Sequence, residues 1–92
     1  MNLYMIGLGG KVHGANIEVH DVQFVVSDYI DQTVERLKAN WYGMAEKLHM
    51  DSYTELEGAD GFKVKVTKEK FSDKRRLFFV HLGGYKCSRN KI

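Results

Sequence analysis

A chain of 92 residues makes one domain, of a size that takes only about 60% of its unfolded surface out of water, so its core must be thin. Hydrophobic residues at 43% and charged residues at 28% are globular proportions and exclude a disordered or low-complexity chain. The longest N-terminal apolar run, residues 3–8, is too short for a membrane span or a signal peptide. The single cysteine, Cys87, cannot close an intramolecular disulfide, and a cytoplasmic protein without a membrane partner is expected.

Residues 3–8 read as a short strand that is apolar on both faces, which predicts a central position in a sheet. The glycines that follow, Gly7, Gly9, Gly10 and Gly14, imitate the start of a phosphate-cradling loop. A dinucleotide loop must open a helix, however, and here a second strand follows at residues 17–26, so Gly9 and Gly10 are expected to serve a turn at the strand end. In that second strand Glu18, His20, Val22, Phe24 and Val26 share one face, expected to be the drier one. Ser27 or Asp28 is placed to cap a helix in which Ile30, Val34, Leu37 and Trp41 form the apolar stripe.

Residues 48–57 alternate weakly, and Gly58-Ala59-Asp60-Gly61 joins them to residues 62–67, which alternate strictly with Phe62, Val64 and Val66 inward. This pattern predicts a hairpin. A charged loop at 68–76 then leads to a last strand at 77–82. The fold expected is α+β, a mainly antiparallel sheet of about five strands in the order β-β-α-β-β-β, with one amphipathic helix on one face.

The last strand copies the first. Leu-Tyr-Met-Ile-Gly-Leu-Gly-Gly at 3–10 reappears 74 residues later as Leu-Phe-Phe-Val-His-Leu-Gly-Gly at 77–84, and Asn16 is matched by Asn90, so residues 77–92 read as the start of a second copy. These motifs, with Asn-Ile-Glu-Val-His-Asp at 16–21, Asn-Trp-Tyr-Gly at 40–43, Leu-His-Met-Asp-Ser at 48–52 and Gly-Ala-Asp-Gly-Phe at 58–62, resemble a bacterial family of uncharacterised domains that carry one or two copies of the unit. The resemblance implies no activity. The second copy is expected to stop at Ile92, before another Glu-x-His-Asp.

Glu18 and His20, two apart on one strand, leave the same face, as metal ligands or an acid/base pair require. His49 and Asp51 form a second such pair. If the two segments adjoin, four nitrogen and oxygen donors converge, a set suited to zinc, manganese or non-haem iron. The competing reading makes His20 a partly buried histidine, hydrogen-bonded by Glu18 or Asp51, that holds the strands in register; on it no cofactor is needed.

Charge is unevenly distributed. Residues 1–61 carry four basic and ten acidic side chains, a net of −6, and residues 62–92 carry ten basic and two acidic, a net of +8. Lys70, Lys74, Arg75 and Arg76, with Phe71 among them, could meet nucleic-acid phosphates and stack a base. Two acids interrupt the run and no recognition motif accompanies it, so a solvated loop is the expectation and a nucleic-acid partner is not. With no nucleophile–base pattern in view, the reading leans away from an enzyme. It favours a small noncatalytic interaction or structural module, a homodimer joined through Leu77, Phe78, Phe79 and Val80. The alternatives are a metal-dependent or acid/base enzyme using Glu18, His20, His49 and Asp51, and a weak nucleic-acid binder.

Overall fold

The computed structural model describes residues 1–70, 72 and 74–83. Three strands, β1 (Asn2–Gly10), β2 (Val19–Ser27) and β3 (His49–Glu55), form one antiparallel sheet in the order β2-β1-β3. The apolar first strand is central, as its two-faced composition predicts. A 3-10 turn at Ile30–Thr33 runs into the short helix α1 (Val34–Asn40). A separate two-stranded sheet pairs β4 (Gly58–Ala59) with β5 (Phe62–Lys63). Among the described residues no helix is long and apolar enough to cross a membrane.

The core lies on the face of β1 that carries Tyr4, Ile6 and Leu8. These close against Val25 of β2 and against Leu37 and Trp41, with Val12, Val19, Ile30, Leu48 and Met50 packed around them. Ile6 and Leu8 are fully shielded, and each large apolar side chain so buried contributes roughly 1.5 to 3 kcal/mol. The other face of β1 offers Leu3, Met5, Gly7 and Gly9. Two glycines give a helix nothing to bury, so α1 takes the opposite side. This overturns the expectation for β2. Its drier face is that of Val19, Gln23 and Val25, whereas His20 and Phe24 are exposed on the open face.

The helix stripe also differs from its expected phase. Ile30, Thr33, Leu37 and Trp41 point inward, with Thr33 fully buried and Val34 exposed. The first turn is 3-10, with three residues per turn, which advances the stripe from Ile30 to Thr33 instead of Val34. Thr33 satisfies its hydroxyl locally by donating to the Ile30 carbonyl at 2.7 Å. Neither Ser27 nor Asp28 caps the turn. Tyr29 holds the cap position without a side-chain bond, Ser27 Oγ donates to the Tyr29 carbonyl, and Asp28 pairs with the N-terminal amine.

The sheet has three strands where about five were expected. The expected hairpin of residues 48–57 with 62–67 does not form, because β3 pairs with β1; a smaller one closes within 58–63, where Asp60 and Gly61 both adopt positive φ, +50° and +81°, as a two-residue type I′ connection requires. It pairs with itself, however, and Val64 N–H donates to the Glu57 carbonyl just beyond it. Phe62 is consequently exposed, and β5 adds nothing to the main sheet. Residues 77–82 form no strand either. Phe79 packs edge-on against Phe24 on the open face of β2, with ring centroids 5.1 Å apart, and the segment joins no strand. Its other apolar side chains stay in water, Phe78 at 77% exposed and Leu82 at 83%. The proposed second copy continues into residues 84–92, and Phe71 and Cys87 were also singled out in the sequence; these lie outside the described residues.

Candidate metal centre

Register brings the two histidine pairs together. Gly9 of β1 lies opposite His20 on one side and opposite His49 on the other, so both imidazoles rise from the open face beside a residue with no side chain. Asp51 joins them through an irregularity in β3. Gly7 pairs with Ser52 and Leu8 with Met50, which leaves Asp51 as the extra residue of a β-bulge. Met50 still packs against the core, while His49, Asp51 and Ser52 border the glycine-floored stretch of the open face. Glu18, just before β2, completes the group.

The donor atoms are close. His49 Nε2 lies 2.7 Å from Glu18 Oε1 and 3.2 Å from Asp51 Oδ1, and His20 Nδ1 lies 3.3 Å from Asp51 Oδ2. One donor atom each from Glu18, His20 and Asp51 falls within 4.8 Å of the others, so small side-chain rotations would bring them to a shared ion with ligand bonds of about 2.0 to 2.2 Å, while His49 stands outside this group of three and contacts Glu18 and Asp51. All four side chains are partly open to solvent, His20 most of all at 69% and Asp51 least at 41%. His20 is therefore exposed and not partly buried as the competing reading expects, although the contact with Asp51 that this reading also expects is present. Its exposure leaves a face of the cluster accessible to a ligand.

Gly9 is what the sequence reading missed. It lies inside β1, paired on both sides, and is not among the positive-φ residues, so it serves space and not a turn. A methyl group at Gly9 would run into Glu18 Oε1, stand 2.8 Å from His49 Nε2 and stand 3.1 Å from Asp51 Oδ2. Gly7 does the same for Ser52, whose Oγ would stand 2.7 Å from an added methyl. The available signal was glycine at alternate positions inside an otherwise apolar strand, which marks a close approach on one face. On the core side, Gly10 leaves room for the Trp41 ring.

Lys70 and Lys74 are exposed in the connection, the Arg75 guanidinium lies 4.5 Å over the Phe62 ring, and Arg76 donates to the Arg75 carbonyl. Leu77 and Phe78 border, with Leu3, Phe62 and Val64, an open groove of about 710 Å³ whose rim includes Lys63, Lys65, Arg75 and Arg76.

A comparison with the curated proteins finds no match. Among solved structures the chain is similar to a protein, Il1583, from Idiomarina loihiensis, at 35% identity and a TM-score of 0.73. The match covers 77% of this chain and 49% of that one, so this chain spans about half the length of its relative. Glu18, His20, His49 and Asp51 all fall within residues 15–66, which match the model of the family described as Domain of Unknown Function (DUF1543), and the chain belongs to that family.

Proposed function

We propose that this chain is a metal-binding module that holds one divalent transition metal ion through Glu18, His20, His49 and Asp51. The observation that carries the reading is the convergence of two imidazoles and two carboxylates over Gly9, where an ordinary side chain would displace three of the four. A mixed nitrogen and oxygen donor set suits zinc, manganese or iron(II) over the soft ions that need thiolates. The test is elemental analysis of protein purified without added metal, together with titration of the metal-free protein with Zn²⁺ and Mn²⁺. About one equivalent of metal, lost in His20→Ala and in Asp51→Asn, supports the reading. Metal-free protein with no affinity tighter than about millimolar would sink it.

A second reading makes the chain a noncatalytic homodimeric module joined through Leu77, Phe78, Phe79 and Val80. It is supported by the exposure of this apolar run beside a thin core. A cytoplasmic setting suits both readings, since imidazole and carboxylate donors need no oxidising compartment. The partial copy of β1 at residues 77–84 belongs to the second one: a strand built to lie in a sheet seeks a partner. On either reading the basic connection containing Lys70, Lys74, Arg75 and Arg76 is a solvated link and not a nucleic-acid clamp.

A further inference from the structure

The four residues of the cluster do not stand alike toward a common ion. One donor atom each from Glu18, His20 and Asp51 lies within 4.8 Å of the others, and His49 is not of that group. Two ligands bonded to one ion at about 2.1 Å stand about 3.0 Å apart in octahedral geometry and about 3.4 Å apart in tetrahedral geometry. The 3.3 Å between His20 Nδ1 and Asp51 Oδ2 has the length of such a ligand edge. The 2.7 Å between His49 Nε2 and Glu18 Oε1 is shorter than either, and is the length of an N–H···O bond to a carboxylate. The same nitrogen lies 3.2 Å from Asp51 Oδ1, so it spans both carboxylates. Depth separates the imidazoles as well: His49 Nε2 would stand 2.8 Å from a methyl group on Gly9, at the floor of the cluster, while His20 is the most exposed member.

We propose that the ion is held by three ligands, Glu18, His20 and Asp51, and that His49 is a positioning residue beneath them. Its Nε2–H donates to Glu18 Oε1 and Asp51 Oδ1, which fixes both carboxylates and leaves each its second oxygen for the ion. The inference rests on the metal reading above and divides its four residues into three ligands and one support. Supports of this kind carry about 10- to 100-fold of a site's metal affinity. Three protein ligands leave one position open on a tetrahedral ion and three on an octahedral one, the mark of a site that takes a ligand from outside the chain. The exposure of His20 puts these positions on the solvent side. Two carboxylates already balance a divalent ion, so the centre has no surplus positive charge with which to hold a polyanion. The ligand it fits is a small monoanionic oxygen donor, a carboxylate or hydroxamate, in exchange with water.

The test loads chelator-stripped protein with Mn²⁺ and counts coordinated imidazoles by pulsed EPR with ¹⁵N-labelled histidine; one is expected. His49→Gln keeps an N–H donor at the same reach and is expected to bind Mn²⁺ within about threefold of wild type, whereas His49→Ala is expected to weaken binding about 10-fold or more. Both His20 and His49 are exposed, so circular dichroism of these variants is expected to be unchanged. In the Co²⁺-loaded protein, acetohydroxamate is expected to change the visible absorption saturably, and inorganic phosphate at the same concentration is expected to leave it as it was. Two coordinated imidazoles, a His49→Gln protein that binds no better than His49→Ala, or a Co²⁺ spectrum that acetohydroxamate does not alter would each overturn the proposal and leave the metal reading standing. Wild-type protein that takes up no metal would overturn both.

Discussion

Replacing Gly9 by alanine separates the cluster from the fold. The added methyl group occupies the place of Glu18 Oε1 and crowds His49 Nε2 at 2.8 Å and Asp51 Oδ2 at 3.1 Å. An ordinary contact needs about 3.5 Å, so the glutamate oxygen must retreat by more than about 1 Å and the other two by several tenths. Metal sites tolerate displacements of only about 0.2 Å in ligand distance. Loss of one ligand and misplacement of two is expected to weaken Zn²⁺ or Mn²⁺ binding by about 100-fold or more, equivalent to about 2.7 kcal/mol. Folding stability should hardly change. All three obstructing atoms are ends of partly exposed side chains that can swing outward, and the ion pairs they make are worth about 0.2 to 1 kcal/mol each. The lower chain entropy of alanine in the unfolded state returns about 0.4 to 1 kcal/mol. Calorimetric titration and thermal unfolding of the same preparation read both quantities. Unchanged metal affinity in Gly9→Ala would refute the assignment of the cluster as the site, and a melting temperature lowered by more than about 8 °C would refute the separation of site from fold.

Leu37→Ala removes the one buried side chain that α1 itself contributes to the core and is expected to cost about 2 to 5 kcal/mol in chemical unfolding. Thr33→Val keeps the volume but leaves the Ile30 carbonyl without its 2.7 Å partner; a loss of about 1 to 3 kcal/mol is expected, largely recovered in Thr33→Ser. Gly61→Ala forces a side chain into a φ of +81° and should fray the small hairpin at a cost of about 1 to 2 kcal/mol, seen as faster amide exchange at Val64 with β1 unaffected. Neutralising Lys70 and Lys74 together should change neither the fold nor any oligonucleotide retention at physiological salt, measured by fluorescence anisotropy.

What was legible in the sequence was local. The central place of β1 follows from a strand with apolar residues on both faces, and a turn within 58–61 follows from its glycines, although which residues pair across it does not. The inward face of β2 was not legible from β2 alone, because Val22, Phe24 and Val26 on one side are as apolar as Ile17, Val19 and Val25 on the other. Glycines on the neighbouring strand decide it, and that decision depends on pairing. Thr33 was missed because the 3.6-residue period fails in a 3-10 turn. The sharing of a face by His49 and Asp51 was readable from their spacing, but their meeting with Glu18 and His20 depends on β1 lying between β2 and β3 in one particular register, a long-range fact. Residues 77–82 have the composition of a strand, yet composition supplies only one side of a ladder, and in the described chain they pair with neither edge strand of the sheet.

Asp51 is supernumerary in its ladder, and this gives the two ends of β3 separate reading frames. His49 and Met50 take their phase from Gly9 and Leu8, while the residues from Ser52 onward take theirs from Gly7 and Ile6. Excising Asp51 leaves every one of these pairings available and removes a single carboxylate. A comparable excision elsewhere in β3 would turn the following residues over, core for solvent. The chemistry at this corner of the sheet is therefore editable by a one-residue insertion or deletion that the core does not register. Relatives that differ in length by one residue at this point would be expected to differ in what they bind while sharing the same buried Ile6, Leu8 and Leu37.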